Sequence, residues 1–428
     1  MGSPRPNLAK DADPPAEAAA AGTSRDVFIA RQPIFDPGLN TVAYELLFRA
    51  GWQNWFSEVD AARADACVLE SSLSEFGFDT LVGPRKAFLN MGRHTLVQRL
   101  WTMLPRERVV IEVLETVDPD PEVVAAARAL REMGYELALD DFVLRADYEP
   151  LLALATIVKV DFRQSSPAER AHLARSFLPR GIRLLAEKVE NAEEQREARE
   201  LGYSLFQGYF FCRPEVLART EVPRFKLNYL RFLQEMHRPE LDFDRLEQVF
   251  RQEVSLSLKL LRYLNSAAFG WRSEVKTIRE ALVRLGERPM RKWATVVALV
   301  GLGEDKPPEL VLTALVRARF CELLGALAGL RDRELDLFLM GMFSVVDSLL
   351  GRPLPEVLSE VSLSEDAKRA LLGARDGLGR LFALVLAHER GDWQEDAALV
   401  AELGLAEAPL AAAYAEAVSW AGRVLEPE

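Results

Sequence analysis

Histidine and cysteine are scarce in this chain of 428 residues. It has four histidines, His94, His172, His237 and His388, and the closest two, His172 and His237, are 65 residues apart. That spread argues against a histidine-built metal hydrolase site; any metal would have to rest on carboxylates. The three cysteines, Cys67, Cys212 and Cys321, are odd in number, far apart and without CxxC spacing. They exclude a disulfide framework and fit idle thiols in a reducing compartment. Long apolar runs are also missing. The longest, Trp293 to Leu302, is about ten residues, half of the ~20 that a spanning helix needs. The first 25 residues, rich in Ala, Pro and charge, hold no signal-peptide core. A cytoplasmic protein with no membrane association is expected. Positive charge falls short as well: 53 Lys and Arg stand against 65 Asp and Glu, a net of -12. A generally basic nucleic-acid binder is thereby excluded, though a local basic patch is not.

Apolar residues make up 49% and charged residues 28%, enough apolar content for a sizeable core. Three parts follow along the chain. Residues 1–25 read as a disordered lead-in. Over 26–218, short apolar runs alternate with longer amphipathic stretches: VFIARQPI, TVAYELLF, KAFLNM, RVVIEVLE, YELALDDF, TIVKVDF, IRLLAEKVE and SLFQGYFF. Helices are expected between them, as from Ala61 to Phe76 and from Glu122 to Met133. Strand–helix alternation implies parallel βαβ units. After the linker-like RPEVLARTEVPR, residues 219–428 carry a period close to 3.6 and few strand-like runs, which predicts an all-helical domain.

Most of the apolar runs carry a polar residue near their end: Glu45, Asn90, Glu112, Asp140 with Asp141, Lys159, Glu187 and Gln207. Most gaps between them suit one strand, one helix and two short loops. The spacing predicts a compact (β/α)8 barrel, in which functional side chains gather at the C-terminal strand ends. A doubly wound open sheet accounts equally for the apolar runs but not for the recurrent polar ends. Singly, an acid at a strand end is ordinarily a helix cap or a solvated charge. Five carboxylates converging in one cavity require raised pKa values or divalent cations. Mg²⁺ and Mn²⁺ prefer such oxygen ligands, and a two-metal site of this kind activates water for phosphodiester hydrolysis. Lys159 would offset charge there or hold a water or a phosphate.

The same residues carry a family resemblance over ~26 to ~218. QPI at 32–34, YELLFR at 44–49, FLN at 88–90, EVLE at 112–115, DDF at 140–142, KVD at 159–161, AEKVE at 186–190 and QGY at 207–209 together resemble an EAL domain, the bacterial cyclic di-GMP phosphodiesterase fold. The resemblance implies that Glu45, Asn90, Glu112, Asp140 and Asp141 hold Mg²⁺ or Mn²⁺. It implies that Glu187, Lys159 and Gln207 complete the catalytic shell, that Gln32 and Arg49 contact the dinucleotide, and that Glu115 braces the loop after DDF. Two positions depart from the family pattern. Val143 and Lys188 stand where the family has glycine, and an ammonium at 188 is expected to pair with Glu187 and compete with a metal.

In the second half, NSAAFG at 265–270, the following TIREA and the Leu285–Gly286 pair resemble the start of an HDOD domain, a helical relative of HD phosphohydrolases without their metal ligands. In keeping with that, GMFSVVDSLLG at 341–351 has Ser344, Val345 and Val346 where a His-Asp pair would stand. Asp347, with no histidine near, reads as a helix-surface or capping acid. An EAL-like barrel followed by HDOD is a recognised pairing. Residues 251–292 hold ten Lys and Arg against four acids, which amphipathic helix faces explain as readily as an anion-binding patch.

The expectation is a bacterial signal-transduction protein. A degenerate EAL domain would sense cyclic di-GMP or scaffold, and the HDOD domain would relay by contact with a signalling protein. The alternative is an active Mg²⁺- or Mn²⁺-dependent cyclic di-GMP phosphodiesterase. Nucleic acid is not expected as a partner, and the resemblance is compatible with a homodimer.

Overall fold

The computed structural model describes residues 27–50, 78–140, 146–208, 224–236, 280, 284, 286–406 and 408–425. The lead-in, the helix expected over Ala61–Phe76 and the linker up to residue 223 lie outside them. Eight strands close into a barrel: β1 (Val27–Phe35), β2 (Thr41–Ala50), β3 (Lys86–Met91), β4 (Val109–Val113), β5 (Glu136–Leu139), β6 (Ile157–Asp161), β7 (Arg183–Glu187) and β8 (Leu205–Phe206). Strands β2 to β8 are parallel, but β1 runs antiparallel to both of its neighbours. An all-parallel set of βα units is therefore corrected at the first strand. The cause is local. Asp36 Oδ1 accepts from the backbone N–H groups of Gly38 and Asn40 at 2.8 and 2.9 Å, and this turn folds β1 back on β2 as a hairpin. An Asp-Pro-Gly turn of so few residues has no room for a crossover helix.

The barrel is covered by α1 (Phe78–Val82), α2 (Arg93–Val97), α3 (Pro121–Glu132), α4 (Glu149–Leu152), α5 (Pro167–Phe177) and α6 (Ala192–Leu201). Their starts follow from sequence. Asp120 caps α3 by accepting from the N–H groups of Glu122 and Val123, ahead of Pro121. Ser166 and Glu169 form a reciprocal capping box on α5. Val123, Ala127 and Leu130 of α3 repeat at helical spacing and bury against the strands.

The helical half comprises α7 (Arg224–Met236), α8 (Glu287–Leu302), α9 (Pro308–Leu327), α10 (Glu334–Phe343), α11 (Val346–Leu350), α12 (Leu354–Glu360), α13 (Glu365–Leu371), α14 (Leu378–Arg390), α15 (Trp393–Leu403) and α16 (Ala408–Leu425). These share one apolar core. Gly341 sits at the α9–α10 crossing, where a Cβ would lie 2.3 Å from the Ala318 backbone, so only glycine permits that approach. None of the described helices is long and apolar enough to cross a membrane.

Among the described helices, those of the barrel's own set make no extensive packing against β1 or β2. Helices α14 and α16 of the second half pack on β1 instead. Polar contacts fix the join. Tyr44 and Thr41 donate to Glu309 Oε2 at 2.8 and 3.1 Å. His388, fully buried, places Nε2 3.1 Å from the Ile29 carbonyl and Nδ1 3.1 Å from Asp396 Oδ1. A carbonyl only accepts, so Nε2 carries a proton. Replacing the ring with an apolar one strands a buried carboxylate. His388→Leu is expected to cost about 2–4 kcal/mol, read as a lower urea midpoint of the full chain; an unchanged midpoint contradicts this role.

Candidate active site

Side chains in a strand alternate between its two faces, so residues two apart share one. One residue from each strand forms an apolar plug inside the barrel: Ile34, Ala43, Phe88, Val110, Ala138, Ile157, Leu185 and Leu205. Two residues further on, five parallel strands and the positions just past β5 and β8 carry Glu45, Asn90, Glu112, Asp140, Lys159, Glu187 and Gln207. On β1, which runs the other way, the matching residue lies two positions earlier and is Gln32. It stands opposite Glu45 in the β1–β2 register. All eight strands thus contribute one polar side chain to a single layer above the apolar plug. The antiparallel strand brings Gln32 into that layer from within its length rather than from its end.

Lys159 occupies the centre, with 1% of its side chain exposed. Its Nζ lies 2.8 Å from Glu187 Oε1, 2.9 Å from Asp140 Oδ1 and 3.4 Å from Glu45 Oε2, and it also pairs with fully buried Glu112. Gln207 donates to Glu45 Oε2 at 2.8 Å and to Gln32 Oε1 at 2.9 Å. Asn90 donates to Glu45 Oε1 at 3.2 Å. One ammonium faces four carboxylates, and the imbalance shows in the proton affinities. Burial pushes Glu187 up to about 8, with Asp140 and Glu45 adding to the rise and Lys159 opposing it. Burial also raises Glu112 well above the ordinary carboxylate range, against the opposing pull of Lys159. Burial alone would depress Lys159, but the surrounding acids outweigh it and hold the ammonium charged.

The β7–β8 end of the layer is shaped by backbone constraints. Lys188 has φ +53°, the left-handed region that favours glycine and costs another residue about 1–2 kcal/mol. Its ammonium pairs with Asp161 Oδ2 at 2.5 Å, and Asp161 also accepts from the N–H groups of Arg163 and Gln164. The expected pairing of Lys188 with Glu187 is therefore corrected: in this backbone conformation its ammonium is tied to the β6 turn. Gly208 follows Gln207 at φ +150°, and a Cβ there would lie 2.3 Å from the Val189 carbonyl oxygen. The glycine of QGY is thus required by the close approach of two strand ends. Asp141 and Val143 lie outside the described residues, as does the Arg49 side chain. Glu115 is exposed, and its carbonyl accepts from Tyr148 Oη at 3.0 Å.

A cavity of about 830 Å³ opens above the layer, lined from the barrel by Gln32, Glu45, Asp140, Lys159, Glu187 and Gln207. Among the described residues, no three acidic, histidine or cysteine side chains stand together in a metal-binding arrangement, since Lys159 takes the central place. The donor set nonetheless suits a hard cation. Among the described residues, the buried oxygens Asn90 Oδ1, Glu112 Oε2, Glu187 Oε2 and Gln207 Oε1 find no hydrogen-bond partner, the condition that a cation relieves. Of the basic stretch 251–292, the described part is largely matched: Arg284 pairs with Glu280, Arg291 with Glu287 and Lys292 with Glu322. Sequence reasoning missed the residues of the helical half that reach the cavity, Glu389, Arg390 and Gly391, because nothing local marks them.

The excess of buried acid fixes a pH response. A carboxyl whose folded pKa exceeds its unfolded value favours the protonated fold, so its contribution fades as pH rises from about 4.5 through about 8. The melting temperature of the metal-free protein is expected to fall between pH 5 and pH 8. Glu187→Gln should flatten that fall, and an equal slope in both proteins would contradict the assignment.

Comparison with known proteins places these features. Residues 90–214 match the EAL domain and residues 222–374 the HDOD domain. The chain is 35% identical over 375 residues to the cyclic di-GMP phosphodiesterase CdgJ of Vibrio cholerae, covering 87% of each protein. It is 30% identical over 408 residues to the uncharacterized protein YuxH of Bacillus subtilis, covering 94% of this chain and 99% of that one. A solved structure of Klebsiella pneumoniae BlrP1, a calcium and cyclic di-GMP complex, is 26% identical at a TM-score of 0.38; the match covers 44% of this chain and 56% of that one.

Proposed function

Because the chain belongs to the EAL–HDOD family of cyclic di-GMP phosphodiesterase relatives, we propose that its barrel hydrolyses cyclic di-GMP with the help of Mg²⁺ or Mn²⁺. The observation that carries this is the polar layer: eight strands deliver eight polar side chains to one plane, which holds orphaned buried oxygens and lies beneath an open cavity. Glu45, Asn90, Glu112 and Asp140, with Asp141, would hold the cation, which when bound supplies Lewis acidity and a water of lowered pKa.

The chain's own residues have separate tasks. Lys159 neutralises the acids that crowd the layer and presents an ammonium toward the anionic phosphate. Glu187, whose proton affinity burial raises in the cation-free layer, would in its ionised form accept a proton from the attacking water. Gln207 bridges Glu45 and Gln32, which fixes the Glu45 carboxylate in one orientation. Gln32, on the reversed strand, faces the cavity and the dinucleotide. Arg49 is assigned to a phosphate by family resemblance. The helical half serves in relay by contact with a signalling protein, and pairing with a second copy of the chain is compatible with the family.

Recognition without turnover is the second reading. It is favoured by Lys159, whose contacts with four carboxylates stand where cation contacts would, and by Val143 in place of the family's glycine.

The test is release of linear dinucleotide from cyclic di-GMP by the full chain with added Mn²⁺. Turnover is expected, and Glu45→Ala should lower it by about 100-fold or more, as loss of a cation ligand does. Uptake of the nucleotide with no linear product would leave recognition alone; turnover unaffected by Glu45→Ala would remove the layer from the chemistry.

A further inference from the structure

The cavity is not walled by the barrel alone. The last turn of α14 and the residue after it, Glu389, Arg390 and Gly391, line it from the helical half. This wall is held in place at three points. Gly391 has φ +68°, and a Cβ there would lie 2.5 Å from Leu47 Cδ1, so the turn is seated on the barrel without a gap. The Arg390 carbonyl accepts from Gln32 Nε2 at 2.9 Å. Glu389 is gripped through both carboxylate oxygens by buried Arg317, at 2.6 Å each, and Arg317 also donates to Ser344 Oγ at 3.2 Å.

Glu389 is spent on Arg317. Arg390 shares Glu395 with Arg375, at 2.7 and 2.6 Å, so one carboxylate stands against two guanidinium groups. Of the other cations that line the cavity, Arg163 pairs with Glu190 and Glu194 and Lys188 with Asp161, while Arg31 donates to the Leu81 carbonyl at 2.7 Å and lies over the Tyr44 ring. Arg390 thus lines the cavity from the helical half with a guanidinium that shares its carboxylate, a planar donor set suited to phosphate.

We propose that the ligand of the barrel cavity is bound jointly by both domains, with Arg390 of the helical domain contacting a phosphate of the dinucleotide. This rests on the assignment of cyclic di-GMP to the cavity. Joint binding makes occupancy and domain docking reciprocal. A ligand that touches both walls clamps α14 to the barrel, and a partner that draws α14 away weakens the ligand.

The test is calorimetric titration of the full chain with cyclic di-GMP in Ca²⁺, for the parent, Arg390→Gln, Arg390→Lys and Arg380→Gln. Arg380 is exposed on the same helix and does not line the cavity. Loss of one charged phosphate contact should weaken binding about tenfold in Arg390→Gln. Arg390→Lys should retain part of the affinity, and Arg380→Gln should match the parent. The salt dependence of binding should become shallower in Arg390→Gln alone. Parent-like binding by Arg390→Gln overturns joint binding while leaving the cyclic di-GMP assignment intact. A parent chain that takes up no cyclic di-GMP overturns both.

Discussion

A single ammonium buried among four carboxylates governs this barrel. Lys159 sits at the centre of the polar layer, and its ammonium is set against Glu45, Glu112, Asp140 and Glu187 together. Such a cluster cannot be neutral with every acid ionised. It takes up protons, as the raised affinities of Glu112 and Glu187 show, or it takes up cations. The apolar plug beneath sharpens the conflict by excluding water from below. Everything proposed for the site follows from that imbalance: the taste for hard cations, the sensitivity to pH, and the need for Gln207 and Asn90 to hold Glu45 still.

The second constraint is the reversed first strand. A barrel strand ordinarily buries its outer face under its own helix. Here the short turn at Asp36–Asn40 denies the hairpin a crossover helix, and the hairpin is covered by α14 and α16 from the other half of the chain. One consequence is Gln32 in the polar layer. The other is a join fastened by Glu309 and His388. Because β1 lies between this join and the cavity, the helical half reaches the cavity mouth, and Gln32 is bonded to both sides.

Much of this was legible in the sequence, and the physical reason is the period of two. Polar residues closing apolar runs mark the inner face at each strand's end, which is why Glu45, Asn90, Glu112, Asp140, Lys159, Glu187 and Gln207 were found together. The direction of β1 was not read, although Asp-Pro-Gly at 36–38 carries the hairpin signal, because an alternating pattern is the same in either direction. Lys188 was misplaced because its partner depends on a backbone angle: at φ +53° its ammonium is bound to Asp161. His388, Glu309 and Arg390 were beyond reach for a different reason. Their partners are hundreds of residues away, and no local pattern separates a helix end that meets a barrel from one that meets water.

The central claim is that Lys159 shares the layer with a cation rather than replacing it. Anomalous diffraction from crystals grown with Mn²⁺ and cyclic di-GMP tests this most directly. The account predicts manganese peaks in contact with Glu45, Asn90 and Glu112, with Lys159 turned toward a phosphate. Absence of manganese from the layer, with Lys159 still bonded to all four carboxylates, would contradict it.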